Sequence, residues 1–313
     1  MDKFLKLIFT TAFGFSILRI STPIILAGMA AVISERAGVV NIAIEGMMLT
    51  SALTGVVVSA FTKSWVLGLI SSIIISMLIS LVLAYFTLNL KANNIMCGLA
   101  INMMAKGGTV FVLYLLTGNK GASTELKSYN VPSIEIPLLK DIPVLGDIFS
   151  RHNMLTYLSI LLVFLLHIFM FRSKTGMRIR AVGENPNAVK SVGISVKKTQ
   201  CYALVLSGFF AGVAGAYMSM GYMNGFTANM VSGRGFIALA ANSMGQNTPW
   251  GTFFAALIFG CADAMANTLQ VLKIPTQFVQ MIPYATTIMG ITIYSVLTAN
   301  QIKKRRMKLA AGE

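Results

Sequence analysis

The sequence predicts an all-α protein, a polytopic transmembrane helical bundle of about nine crossings, with ten as the alternative, and with broken or re-entrant segments. Three observations carry this. Of 313 residues, 56% are hydrophobic and 11% charged, where a soluble domain carries about a quarter charged residues. Apolar runs recur along the chain at lengths near the roughly 20 residues that a spanning helix needs. Of the 25 Lys and Arg behind the net charge of +15, 12 gather in an island within residues 171–198 and in the tail Lys303-Lys304-Arg305-Arg306-Met307-Lys308. Such Lys/Arg bias in short loops marks the cytoplasmic side of a membrane protein, so no nucleic-acid partner is needed to explain it, and attraction to anionic lipid follows from it.

The first span is expected at about residues 4–34, uncleaved, with a kink at Pro23, because proline removes one backbone hydrogen bond and crowds the preceding turn. Splitting it at Arg19 would give ten crossings and move the N-terminus inside. About 12 residues make only about 18 Å of helix against a core of about 30 Å, which favours nine. Next, Ser34-Glu-Arg-Ala-Gly-Val-Val-Asn-Ile-Ala-Ile-Glu-Gly-Met-Met48 mixes charges and an amide with apolar residues, as a partly re-entrant segment would. Spans follow at about 47–61, 65–88 and 95–116. Residues 117–152 are polar, carry Pro132, Pro137 and Pro143, balance their charges, and read as the external loop. Spans at about 154–170 and 199–220 flank the basic island. Residues 221–247 are rich in Gly, Asn and Ser, and only 235–244 is apolar enough to enter the membrane, a second broken segment. Two closing spans, about 251–272 and 276–297, lead to a basic cytoplasmic tail, 300–313.

The island, about 172–198, sets Arg172, Lys174, Arg178, Arg180, Lys190, Lys197 and Lys198 against Glu184 alone. Within it Asn185 suits an N-cap, Pro186 the first helical position and Gly193 the left-handed position past a helix end. A short helix at about 186–192 is therefore expected on the cytoplasmic surface. Two turns are unstable alone in water, so the helix rests on something: it either only orients the protein or docks a soluble partner.

Chemistry-bearing residues are few. Cys97, Cys201 and Cys261 lie in apolar runs without pairing or metal spacing, and His152 and His167 lack nearby acids, so no metal, cofactor or enzymatic role is expected. The pattern G-x-x-x-x-G-K-[ST] is absent, so ATP would be bound by a partner subunit. Charges at membrane depth are Glu45, Lys106 and Asp263, with Arg234 nearer the outer surface. Intramembrane charge is costly and usually faces a polar interior or pathway.

Two interruptions flank the island, residues 35–46 and 224–247. Transporters place their sites where helices break against a cavity, which nominates Asn41, Glu45 and Asn242 as a substrate pathway. The structural alternative makes Asn41 a helix cap and pairs Lys106 with Glu45 or Asp263. A stand-alone secondary transporter, with Glu45, Lys106 and Asp263 as a proton relay, is the competing mechanism.

Four ordered stretches, Thr22-Pro-Ile-Ile-Leu-Ala-Gly28, Ser34 through Met48, Arg180-Ala-Val-Gly-Glu-Asn-Pro-Asn-Ala188 on to Gly193-Ile194, and Gly233-Arg-Gly-Phe-Ile-Ala-Leu-Ala-Ala241, resemble the permease subunits of bacterial ABC importers. The branch they resemble is that of nucleoside or simple sugar permeases, related to ribose and branched-chain amino acid permeases. The resemblance covers nearly the whole chain and implies a single multi-pass permease domain, 1–313, in a bacterial plasma (inner) membrane. It implies three partners: a cytoplasmic ABC ATPase that grips a short permease helix, a second permease subunit in a heterodimer, and an extracytoplasmic substrate-binding protein. Gly183, Glu184, Asn185, Pro186, Ala188 and Gly193 match the coupling loop. The implied cargo is a nucleoside, with a sugar or amino acid as the alternative. Lys106 matches no motif of that family.

Overall fold

The computed structural model describes residues 10–135, 145–270, 285, 288–290 and 292. Its helices in chain order are α1 (Thr11–Arg36), α2 (Ile44–Thr62), α3 (Trp65–Ala84), α4 (Asn94–Thr117), α5 (Leu145–Phe149), α6 (Met154–Arg172), α7 (Lys174–Glu184), α8 (Pro186–Ser191), α9 (Val196–Tyr217), α10 (Arg234–Met244) and α11 (Pro249–Gln270). Single π-helical turns, Tyr85–Asn89 and Met218–Tyr222, extend α3 and α9. No strand occurs among the described residues, which hold only the isolated bridges Ala122 to Thr227 and Ser133 to Asn153.

Seven of these helices, α1, α2, α3, α4, α6, α9 and α11, are long and apolar enough to cross a membrane. The eleven residues of α10 make only about 16 Å of helix, which matches the short segment read from the sequence. The last expected span, apart from residues 285, 288–290 and 292, and the basic tail lie outside the described residues.

α1 is the central helix. Every residue from Ile20 to Ser34 is buried, the condition of a helix that is apolar all round, and it packs against α9, α10 and α11. Pro23 does not end it. Proline donates nothing to the carbonyl of Arg19 one turn earlier, and that oxygen is taken instead by the hydroxyl of Tyr217, at 2.9 Å. α2, α3 and α9 meet through small residues. A Cβ on Gly55 would lie 2.5 Å from Ser72, and one on Gly208 2.8 Å from Ser80. Such contacts let helices approach closely where no hydrophobic effect drives them together, and hydroxyls bond across them, Ser72 to the Ser51 carbonyl at 2.8 Å and Ser80 to that of Leu204 at 2.7 Å.

Two expectations need correction. The island is not one loop with a single short helix: α7 precedes α8, burying Gly176, Ile179 and Val182 on one side. Its 3.6-residue pattern is hidden by the density of Lys and Arg on the other side. The polar stretch 117–152 is also more ordered than a loop, with α5 near its end and hydrogen bonds to the segment after α9, from Ser123 N to Phe226 O at 2.9 Å and Val131 N to Met220 O at 3.1 Å.

Candidate functional site

The two interruptions flanking the island are built against each other. α1 stops at Arg36, Gly38 turns the chain with φ of 77°, and α2 begins only at Ile44. Beside this gap stands α10, whose free N–H groups and carbonyls would be unsatisfied at membrane depth. Glu45 closes one end of α10. Its carboxylate accepts from Gly233 N at 2.7 Å and Gly235 N at 2.8 Å while only 2% exposed. Arg36 closes the other, donating from Nε to Asn247 O at 2.6 Å and from a terminal nitrogen to Gln246 O at 3.2 Å. An anion at the N-terminus and a cation at the C-terminus both complement the helix macrodipole. The glycines of the Gly233-Arg-Gly235 sequence are needed for this. Gly233 has φ of 84°, and a Cβ on Gly235 would lie 2.8 Å from the Glu45 backbone.

Asn41, Glu45 and Asn242 are thus brought to one junction, yet each is committed to protein atoms. Asn41, fully buried, donates to Ser207 Oγ at 2.9 Å and accepts from Ala43 N at 3.1 Å. Asn242, also fully buried, donates to Asn247 Oδ1 at 2.8 Å, accepts from Thr252 Oγ1 at 3.2 Å, and reaches the carboxyl of Glu35. Cavities of about 420 and 530 Å³ open beside the first turns of α1, and neither is lined by these three residues. Asn102 was not nominated from sequence but belongs to the junction. Its Oδ1 accepts from Gly46 N at 2.7 Å and its Nδ2 donates to Ile42 O at 2.9 Å, pinning the gap between α1 and α2. An amide in the middle of an apolar span was the available signal.

Neither alternative pairing of charges forms. Glu45 does not meet Lys106 in an ion pair. The Lys106 side chain is exposed on α4 and makes no hydrogen bond or ion pair with any described residue, although its charge acts on Glu45 through space. Asp263 pairs instead with Arg234, at 3.4 Å and mostly shielded from solvent. The proton relay of Glu45, Lys106 and Asp263 therefore has no hydrogen-bonded path among the described residues. Arg234 also stands 5.8 Å from the ring of Tyr222, with Arg19 4.8 Å from the same ring.

The expected coupling segment has the caps read from sequence. Asn185 ends α7 and starts α8, its Oδ1 accepting from Ala188 N at 3.1 Å, Pro186 opens α8, and Gly193 has φ of 79°. Glu184, Asn185, Pro186 and Ala188 are exposed. α8 does rest on something: Val189 is its buried residue, and α7 carries it on the end of α1. Gly183 makes that seat. A Cβ there would lie 2.2 Å from the Arg36 carbonyl oxygen, so the exposed segment is joined directly to the residue that closes α10.

The chain matches the family profile described as branched-chain amino acid transport system / permease component over residues 14–297. It is 37% identical over 284 residues to the guanosine ABC transporter permease protein NupQ of Bacillus subtilis, covering 87% of this chain and 88% of that one. To the nucleoside ABC transporter permease protein NupC of Lactococcus lactis it is 33% identical, over 88% and 89%. Each organism also holds a less similar permease of the same description, NupP and NupB respectively. PsaBC from Streptococcus pneumoniae, solved in complex with Fab, shares the fold with a TM-score of 0.54 at 12% identity, over 92% of this chain and 94% of that one. The profile spans nearly the whole chain, and the chain belongs to this family of ABC transporter permease components, integral membrane subunits built from apolar spanning helices.

Proposed function

We propose that the chain conducts nucleosides inward as one of two different permease subunits of an ABC importer. The observation that carries this reading is the identity of 37% and 33%, over nearly the full length, to permeases named for guanosine and for nucleosides. The basic island then faces the cytoplasm, where α7 and α8 receive a separate ATPase, and an extracytoplasmic binding protein delivers substrate at the opposite end. ATP is held by that partner and not by this chain.

Asn41, Glu45 and Asn242 serve the pathway by holding it open at the right place. They fix α10 and the gap after α1, so that movement at Gly183 is transmitted to both. Alanine at Asn41 or Asn242 is expected to reduce uptake while the ATPase still co-purifies. The experiment for the whole reading is uptake of radiolabelled nucleosides by cells expressing the complete system, with and without a working ATP site in the partner. Nucleoside uptake that stops when ATP hydrolysis is disabled supports it. Uptake driven by a pH gradient alone, or of sugars or branched-chain amino acids in place of nucleosides, refutes it.

A further inference from the structure

Lys106 has no role in the arrangement above, and its position is physically demanding. It is the thirteenth of the 24 residues of α4, about 18 Å from either end of the helix. The four-carbon stem of lysine cannot carry its ammonium from there to a membrane surface. Depth is fixed independently: Gly46 packs on Asn102 and Ala105, the residue before Lys106, so Lys106 lies level with Glu45 and the start of α10. Its surroundings on α4 are Met103 and Met104, 75% and 64% exposed, and Gly107 and Gly108, where an added Cβ would meet nothing within 4 Å. A charge facing hydrocarbon at mid-depth costs several kcal/mol, and such residues face a bundle interior or a water-filled path. The protomer supplies no carboxylate to pair with it among the described residues.

We propose that Lys106 lines the translocation path at the level of the α10 break and selects nucleosides by the acceptor edge of their base, favouring 6-oxopurines over 6-aminopurines. This rests on the nucleoside reading above. An ammonium is a compact donor of three hydrogen bonds with no acceptor. A 6-oxopurine turns two neighbouring acceptors, O6 and N7, toward one side, which a lysine can bridge; a 6-aminopurine replaces O6 by an N–H donor and opposes the cation. The step left by Gly107 and Gly108 gives a flat base room to approach α4. Glu45, sealed behind its two backbone N–H groups, cannot neutralise the ammonium by direct contact, so the charge stays available to the passing substrate.

The test uses the complete importer reconstituted in liposomes, comparing Lys106→Met and Lys106→Arg with the native chain for uptake of inosine and adenosine. One good bridging contact discriminates bases by roughly 1–3 kcal/mol, so the ratio of inosine to adenosine uptake is expected to fall about tenfold in Lys106→Met and to be largely kept in Lys106→Arg. In a background lacking Cys97, Cys201 and Cys261, Lys106→Cys should react with a membrane-impermeant thiol reagent, and inosine should slow that reaction. An unchanged ratio overturns the proposal, whether uptake is intact, as for a lysine facing lipid, or falls equally for both substrates. Loss of the second permease from the purified complex also overturns it, making Lys106 an interface charge. Failure of the native importer to move either nucleoside would strike the proposed function itself, a different outcome from an unaltered ratio.

Discussion

Removing the carboxylate of Glu45 should unfasten α10. Two backbone donors, Gly233 N and Gly235 N, lie 2.7 and 2.8 Å from its oxygens in a site that is 2% exposed. Alanine at this position strands both N–H groups, and each unsatisfied buried donor costs about 1–3 kcal/mol, giving about 2–6 kcal/mol in all. Glutamine keeps one acceptor oxygen but points an amide N–H₂ at the second donor. It also forfeits the interaction of a negative charge with the helix N-terminus, up to about 2 kcal/mol when partly buried. Glu45→Gln should therefore be destabilised, though less than Glu45→Ala. At about 2–4 °C per kcal/mol for a large domain, the alanine variant should melt roughly 5–20 °C below the native protein. The assay is thermal unfolding of the purified protein in detergent, with hydrogen exchange at the Gly233 and Gly235 amides as the local readout. Glu45→Ala melting within about 1 °C of the native protein, with those amides still protected, would refute the capping argument.

The remaining predictions are shorter. Arg36→Met should destabilise α10 from its other end, because the carbonyls of Gln246 and Asn247 lose their donor; Arg36→Lys should recover only part of the loss, one ammonium replacing a two-nitrogen fork, as melting would show. Gly183→Ala should impair ATP-driven uptake more than Gly193→Ala, because the first meets the Arg36 carbonyl at 2.2 Å whereas the second meets nothing within 4 Å and bears only left-handed backbone strain; equal uptake in the two variants would contradict the seating of α7 on α1. Cysteines placed at the exposed Ser191 and Ser133, in a background without native cysteines, should label from the cytoplasmic and external sides respectively, and labelling from one side would defeat the orientation. His152 is buried, stacked on Phe15 at 4.0 Å, and burial, helped by the charge of Arg19, holds its pKa below the usual histidine value despite its bond to the Ile148 carbonyl. Its neutral form is thus favoured by folding, so stability is full above about pH 6.5 and falls as the pH drops below that. His152→Gln should flatten the melting profile between about pH 7.5 and 5.

What was legible in the sequence follows the range of the forces involved. The spans could be read because hydrocarbon imposes length and composition on each segment separately. The caps of α8 could be read because Asn185, Pro186 and Gly193 act on their own neighbours. α7 was missed because a half-buried helix with Ile179 and Val182 as its buried aliphatic side chains carries too little apolar signal against a run of Lys and Arg. The partners of Asn41 and Glu45 were not legible either. Ser207 and the Gly233 to Gly235 backbone lie 166 and 188 to 190 residues away along the chain, and no local pattern announces a bond to a main-chain N–H.

The depth of α10 explains why the clamp takes the form it does. A helix ending at a membrane surface finds water for its last N–H and C=O groups, whereas α10 begins beside Glu45 at the level of mid-α4. Its N-terminal donors need an acceptor from the protein, and a buried carboxylate facing two of them is stabilised by both the bonds and the dipole. The acceptor and the opposing Arg36 come from the ends of a single stretch, residues 36–45, so the gap between α1 and α2 is a strap across α10. Any shift of α1 relative to α2 must then move or strain α10. Because Gly183 seats α7 against the Arg36 carbonyl, a load applied to the exposed basic segment enters the strap at its Arg36 end and reaches the membrane interior with no intervening flexible loop.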